Sequence, residues 1–373
     1  MPRGSHSFQF QLKTVYPPWG RVFHQISTLK ISALVPVYNG KGEYMVSMKK
    51  TVFLFTIILF FSITKASCYG NLNLVRQIEL PNVKGRLDHL AVDPQRQLLF
   101  VAAYGNNSLE VIDLRRGKLI RSISGLNRPQ DVKYIPLEGL LAVSNGGDGT
   151  LRLFDANSLM WVKTIYFRSD ADNMRLGPSG TRLYVAYGEG AIGIVSLPGL
   201  RRIGDIRLGA HPESFQIDGV SEKMYVNVPG KREIAVIDIR QEKIVSKWRF
   251  TPARDNFPMA LDEKTHCLFI GAWVPAILVT YDTHSGKLLC RTRISRDADD
   301  MYIDPKSGLI YCSCGTGFLD VIAPWKNRHR VISKIHTSPG ARTSLLVPQR
   351  HRIYVAAPAE NGHAARILEF KIE

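Results

Sequence analysis

A short apolar run closed by Asp, Pro or Gly recurs seven times along this chain, and that recurrence limits its fold more than any other feature. The first copy is Leu90-Ala91-Val92-Asp93, and the others lie at 132–136, 174–177, 215–218, 259–262, 301–304 and 345–348. Their closing residues are separated by 43, 41, 41, 44, 42 and 44 positions. A period of this size, filled with short strands and turn residues, is one four-stranded propeller blade. Each copy supplies a second strand, as at 98–103, 182–186, 223–228 and 352–356. A third follows with alternating polarity at 109–113, 151–155 and 234–238, then a fourth at 118–123, 161–166, 203–208, 243–248, 287–294 and 331–335. The seventh copy ends after its third strand, 367–372, while residues 74–80 match the missing fourth. The expected fold is therefore an all-β, seven-bladed β-propeller over residues 71–373. Its last blade is closed by one strand from the amino-terminal side, so that no sheet edge stays open at the junction.

The stretch from Val101 to Asp113, with Arg116-Gly117-Lys118 behind it, resembles the YVTN-type repeat of YncE-like propellers. Residues 224–228 with 234–238 form a second copy. Ala103 stands where that repeat usually has Asn, and the third and sixth blades match it least. The resemblance covers the whole of 71–373 at the level of the repeat and implies the propeller fold. The family is functionally mixed, so it implies no single activity.

Upstream, Met48-Lys49-Lys50 precedes an apolar run at 51–64 and the small-residue exit Ala66-Ser67-Cys68. That order reads as a secretory signal over 48–68 and places the propeller in the periplasm or outside the cell. The run is short for a permanent span, so membrane contact is expected only through an uncleaved signal or a lipid on Cys68. Lys65 stands where a lipoprotein signal has an aliphatic residue. Residues 1–47 show no periodicity and read as an extension outside the native protein, with translation starting at Met48 or Met45. The chain carries a formal charge of +17; residues 1–68 hold eight Lys/Arg and one Glu, leaving +10 for the rest, read here as a dispersed basic surface. Cys312 and Cys314, two apart in a strand, read as small buried residues. Cys267 and Cys290 are candidates for a bridge in an oxidising compartment.

Chemistry is expected where loops enter the innermost strands, because a propeller gathers these entries around one channel mouth. They are ionic: Arg86, Asp88, Arg128, Asp131, Arg168, Asp170, Asp172, His211, Glu213, Arg254, Asp255, Arg296, Asp299, Asp300 and Arg342. Five positions before each closing residue stand Asp88, Asp131, Asp172, Glu213, Phe257, Asp299 and Thr343. These acids can fix blade register by accepting backbone N–H groups. They can equally line a site for a small polar or anionic ligand, or for a protein partner, with Arg gripping anionic groups. Asp88, Asn173, Glu213, Asn256 and Asp300 offer oxygen donors suited to calcium. His89, His211 and Glu213 are the candidate acid/base residues. No Ser-nucleophile, phosphate-loop or haem motif is present, and repeats this short leave no room for a lid. A non-catalytic, monomeric binding propeller is therefore the first expectation. A lactonase- or lyase-like hydrolase is the second, and an accessory protein of an exported redox system the third. Arg115-Arg116 and the basic stretch 326–330 are read as turns without interleaved aromatics, which argues against nucleic acid.

Overall fold

The structure, a computed structural model, describes residues 71–373 apart from 189 and 361. The signal segment, the extension 1–47 and Cys68 lie outside the described residues. Seven four-stranded antiparallel sheets follow one another along the chain, each in simple up-and-down order. Their innermost strands are Leu90–Asp93, Pro129–Ile135, Ala171–Leu176, Phe215–Asp218, Arg254–Asp262, Ala298–Ile303 and Thr343–Val347. We number the blades 1 to 7 in that order. Blade 7 takes its outer strand, Leu72–Leu80, from the start of the described chain, where it pairs antiparallel with Ala365–Ile372 from Leu72↔Ile372 to Leu80↔Ala365. The all-β, seven-bladed propeller closed in this way is the fold.

The apolar residues of each blade face their neighbours, so the core is divided into seven clusters, one per seam. Leu99, Val101 and Ile112 of blade 1 meet Ile78, Tyr354 and Ile367 of blade 7. Phe100 and Val111 turn the other way, onto Val132, Val143 and Phe154 of blade 2. Period-two alternation in the middle strands thus serves two cores at once, which is why those strands read as nearly continuous apolar runs. Full burial of one such Leu, Val or Phe contributes roughly 1.5–3 kcal/mol.

A polar bond also crosses every seam near the axis. His89 N–H donates to Gln130 O (3.1 Å), Met174 N–H to Asp131 Oδ2 (2.8 Å) and Arg175 Nη2 to Ser214 Oγ (3.4 Å). Gln216 Nε2 then donates to Met259 O (2.7 Å), Trp273 Nε1 to Ala298 O (2.6 Å) and Ser344 N–H to Asp300 Oδ2 (2.9 Å). Thr343 Oγ1 donates to Asp88 O at 3.0 Å and closes the ring.

The outer strands share a second repeated device. Each slips register once, leaving Val75, Ile120, Val162, Ile203, Val245, Leu289 and Ile332 as the extra residue of a bulge. All seven are 40–51% exposed. A bulge adds local twist, which fits a strand wrapping the rim of a disc. Charge is also sorted by radius. The outer strands carry fifteen Lys/Arg against Glu79 and Asp205, whereas the innermost strands carry eight carboxylates against Lys133, Arg175 and Arg254. The basic excess is spread over the outer strands of all seven blades, so the dispersed basic surface expected from the sequence lies chiefly on the circumference. The stretch 326–330 is corrected. Only a two-residue turn separates Trp325 from the nine-residue outer strand Arg328–His336, so Arg328 and Arg330 are strand residues. Cys312 and Cys314 are fully buried and, like Cys267 and Cys290, free thiols.

Closure has its own ion network. Buried Glu369 is held by Arg76 of the opposite strand (3.1 Å) and by Arg352 (3.1 Å), and Arg76 also donates to Leu114 O of blade 1 at 2.9 Å. Glu369→Ala leaves both arginines without their carboxylate and is expected to cost about 2–4 kcal/mol in chemical denaturation. Deleting residues 71–80 should abolish the single cooperative transition, because the outer edge of blade 7 loses its partner.

Candidate functional site

Strands of a blade alternate in direction, so all seven loops that enter innermost strands open on one face, and the ionic entries meet there. One set of contacts joins blades 1 and 6 past blade 7, which contributes Thr343 at this level. His89 Nδ1 lies 3.2 Å from Asp300 Oδ2 and His89 Nε2 lies 3.9 Å from Asp88 Oδ1. Arg86 Nη2 is 2.8 Å from Asp88 Oδ2 and 3.7 Å from Asp299 Oδ2. Burial disfavours a charged His89, but Asp300, Asp88 and Asp131 outweigh it and raise the imidazole to about 10. Burial, helped by Asp299 and Asp172, pushes Asp88 up to about 7 against the pull of Arg86 and His89.

Two acids of the predicted loop entries have a plain structural task. Asp131 accepts the N–H groups of Val132 (2.8 Å) and Met174 (2.8 Å) and pairs with Lys133 Nζ at 3.0 Å. Burial would raise Asp131, yet Lys133, His89 and Arg175 hold it below the usual carboxylate range. Asp300 accepts from Ser344 N–H across the seam between blades 6 and 7. Lys133 and Arg175 were absent from the sequence-derived site. They lie within innermost strands, where alternation counted them as ordinary polar positions; the available signal was a cation three or two residues before a closing residue.

Blades 3 and 4 form a different cluster. His211 Nε2 lies 3.6 Å from Glu213 Oε1 and 3.9 Å from Asp172 Oδ2, and Nδ1 lies 3.8 Å from Asp170 Oδ2. These separations exceed hydrogen bonds. Donor atoms of Asp172, His211 and Glu213 all fall within 4.8 Å of one another, close enough to share a cation. Burial, with neighbouring carboxylates Asp170 and Asp131, pushes Asp172 up to about 7 despite His89 and Arg86. Burial, then Asp172, Asp299 and Asp170, push Glu213 up to about 9. Burial lowers His211, so its imidazole is neutral near pH 7. Of the five oxygen donors proposed from sequence for calcium, Glu213 alone joins this triplet. Asp88 pairs with Arg86, Asp300 with His89, Asn256 donates to Asn227 Oδ1 at 2.9 Å, and Asn173 is buried in blade 3.

Beside this cluster opens a hollow of about 460 Å³ lined by Tyr104, Arg128, Gln130, Gly146, Gly147, Asp148, Arg168, Ser169 and Asp170. Gln130 Nε2 donates to Asp170 Oδ1 at 2.9 Å, tying blade 2 to blade 3 at its floor. A Cβ at Gly146 would come within 2.5 Å of Gln130 Nε2 and 2.8 Å of Asp170 Oδ1, so the ends of both side chains would have to shift. Elsewhere on the mouth, Arg342 pairs with Asp297 at 2.9 Å. Arg254 and Arg296 are exposed and, with Asp255, join neither cluster.

No protein-family model and no curated protein matches the chain. Solved structures do. One is hydrazine synthase of Kuenenia stuttgartiensis, at 15% identity and a TM-score of 0.67, covering 78% of this chain and 98% of that one. Another is a chain of a mitotic checkpoint complex, at 13% identity and 0.69, covering 83% and 94%. At these identities the likeness shows the fold alone, a seven-bladed propeller similar to WD40-like propellers.

The shifts set the sign of the pH dependence. A carboxyl raised in the folded state keeps its proton longer than in the unfolded chain, so its contribution declines as pH climbs from about 4 through the folded value. Asp88, Asp172 and Glu213 all act this way, up to about 9 for Glu213. Charged His89 adds stability below about 6.5 that is lost through about 10. His211 opposes them only below about 6.5. The urea midpoint is expected to fall between pH 6 and pH 9, and Glu213→Gln should flatten that fall; equal midpoints in the wild type would contradict the charge assignment.

Proposed function

We propose that this protein is an exported, non-catalytic binding propeller that takes a small polar ligand in the mouth hollow between blades 2 and 3. The observation that carries this reading is the hollow's two-sided chemistry. Arg128 and Arg168 lie on its wall, and Asp170 leads from its floor toward the proton-retaining Asp172 and Glu213. An anionic group placed against the arginines would leave an amine or hydroxyl within reach of the carboxylate side, which fits a zwitterionic or hydroxyl-bearing anion. The volume lies within the range of small-ligand pockets. Export and the YncE-like resemblance belong to the same reading and rest on the segment 48–68 and on the repeat wording of blades 1 and 4. A calorimetric screen of free amino acids, amino sugars and hydroxy acids tests it. A hit should weaken about tenfold or more in Arg128→Ala, whose side chain is exposed, and weaken in Gly146→Ala, whose added methyl displaces the ends of Gln130 and Asp170. Binding that ignores both substitutions would remove the hollow from consideration.

One observation favours a second reading, a cation-dependent hydrolase of the lactonase or lyase kind. The Asp172–His211–Glu213 triplet has the donor set for a divalent ion that could polarise an ester carbonyl. Zinc, manganese or calcium should then raise the thermal midpoint of the wild type and not of His211→Ala, and lactone turnover should depend on Glu213. Metal titration without either effect leaves the binding reading in place.

A further inference from the structure

The repeat supplies its own comparison for each seam. One position of every second strand packs toward the preceding blade, opposite the innermost strand. Six blades place Val101, Val143, Val185, Val226, Ile270 and Val355 there. Blade 6 places Cys312 there, opposite Met301. Cys314 follows two residues on along Ile310–Cys314, where blades 1, 5 and 7 have Ala103, Ala272 and Ala357. Packing at a seam is thus met by a branched aliphatic and a small residue, and it does not call for two thiols.

Residues two apart in a strand share a face, and register sets Met301 beside Cys312 on it. All three are buried in one cluster with Ala260 and Phe269 of blade 5. Cys312 Sγ and Cys314 Sγ lie 3.9 Å apart, and Cys314 Sγ is 3.5 Å from Ser295 O. Gly271 of blade 5 faces the thioether: a Cβ there would come within 3.3 Å of Met301 Cε. On the other side of Cys312 stands Asp320, which accepts Ser295 N–H at 2.6 Å and Ser295 Oγ at 2.8 Å and lies 3.7 Å from Lys334 Nζ. That carboxylate is engaged, so the donors left are three sulfurs.

With metal–sulfur bonds of about 2.3 Å, sulfurs 3.9 Å apart subtend about 115° at the metal, which leaves an opening for a third ligand. Thiolate and thioether donors favour a soft ion such as Cu(I). The Cys314 thiol and burial hold Cys312 well above the usual thiol range. An ion must therefore displace protons to bind, which again selects a thiophilic one. Cys314 ends its strand, and the next residue, Gly315, donates its N–H to Asp297 O of the mouth at 2.7 Å, so this end of the pair is the one nearest the mouth.

We propose that Cys312, Cys314 and Met301 form a site for one monovalent soft cation of the Cu(I) class in the seam between blades 5 and 6, independent of the mouth hollow. The ion binds both cysteines as thiolates, their two protons leave to solvent, and no electron is transferred. The test uses the full chain, reduced, with Cys68→Ser/Cys267→Ser/Cys290→Ser so that the pair holds the remaining thiols. Anaerobic titration against the Cu(I)–bicinchoninate complex should withdraw one ion per chain. Losing an outer partner of a metal ligand costs about ten- to a hundredfold in affinity, so losing the ligands should cost more than about a hundredfold. Cys312→Val/Cys314→Ala restores the pair that blade 1 uses, so it should keep or raise the melting temperature while losing copper to that degree. Met301→Leu, close in volume, should weaken binding about tenfold and lower the sulfur neighbours seen by X-ray absorption from three to two. A chain that withdraws no copper, equal affinity in Cys312→Val/Cys314→Ala, or a Cys312–Cys314 disulfide in the anaerobically isolated chain overturns the site. Three sulfur neighbours in Met301→Leu overturn the assignment of the thioether.

Discussion

Everything in this molecule depends on a pairing between strands nearly 300 residues apart. Leu72–Leu80 lies along Ala365–Ile372, with Glu369 held between Arg76 and Arg352 inside the same sheet. Each seam of the ring buries apolar side chains from two blades, so a blade has no complete core of its own. Without the pairing, the seam between blades 7 and 1 would lose Ile78 and Leu80 and expose an unpaired edge. The polar bonds that cross the other six seams keep blades in register but bury little surface, so they cannot replace it.

Ring closure creates two electrostatic environments from one chain. Near the axis, side chains from distant repeats are forced together and lose water, so carboxyls there keep protons to unusually high pH and His89 keeps its charge. At the circumference, outer strands stay wet, and the bulged, basic, half-exposed pattern is repeated blade after blade. The mouth and the rim are therefore different kinds of surface. The first is marked by dehydration and like-charge crowding among acids, the second by a solvated, cation-rich edge.

Much of the site was legible in the chain, though not its pairing. Asp88, Asp131, Asp172, Glu213 and Asp299 were found by their constant distance from a closing residue, and the structure brings all of them to one face. Their roles divide for a reason the repeat cannot express. Asp131 meets the backbone of blade 3 and Lys133, whereas Glu213 meets other acids, so one carboxyl is pulled below its usual range and the other pushed far above it. Arg254 and Arg296 occupy matching places in the sequence pattern but stay exposed on the rim of the mouth. Lys133 and Arg175 were missed because a charged residue inside a strand reads as solvent-facing until the strand is known to line a channel.

The sequence by itself determined the blade count, the strands of each blade and the use of residues 74–80 to finish the seventh. These follow from period and alternation, which are local properties of the chain. Only the tertiary structure decided which ionic side chains meet: His89 of blade 1 with Asp300 of blade 6, and His211 with Asp172 and Glu213. Such meetings depend on how far each blade is rotated about the ring and on how much water is excluded between them. Neither quantity is written in the spacing of residues along one strand.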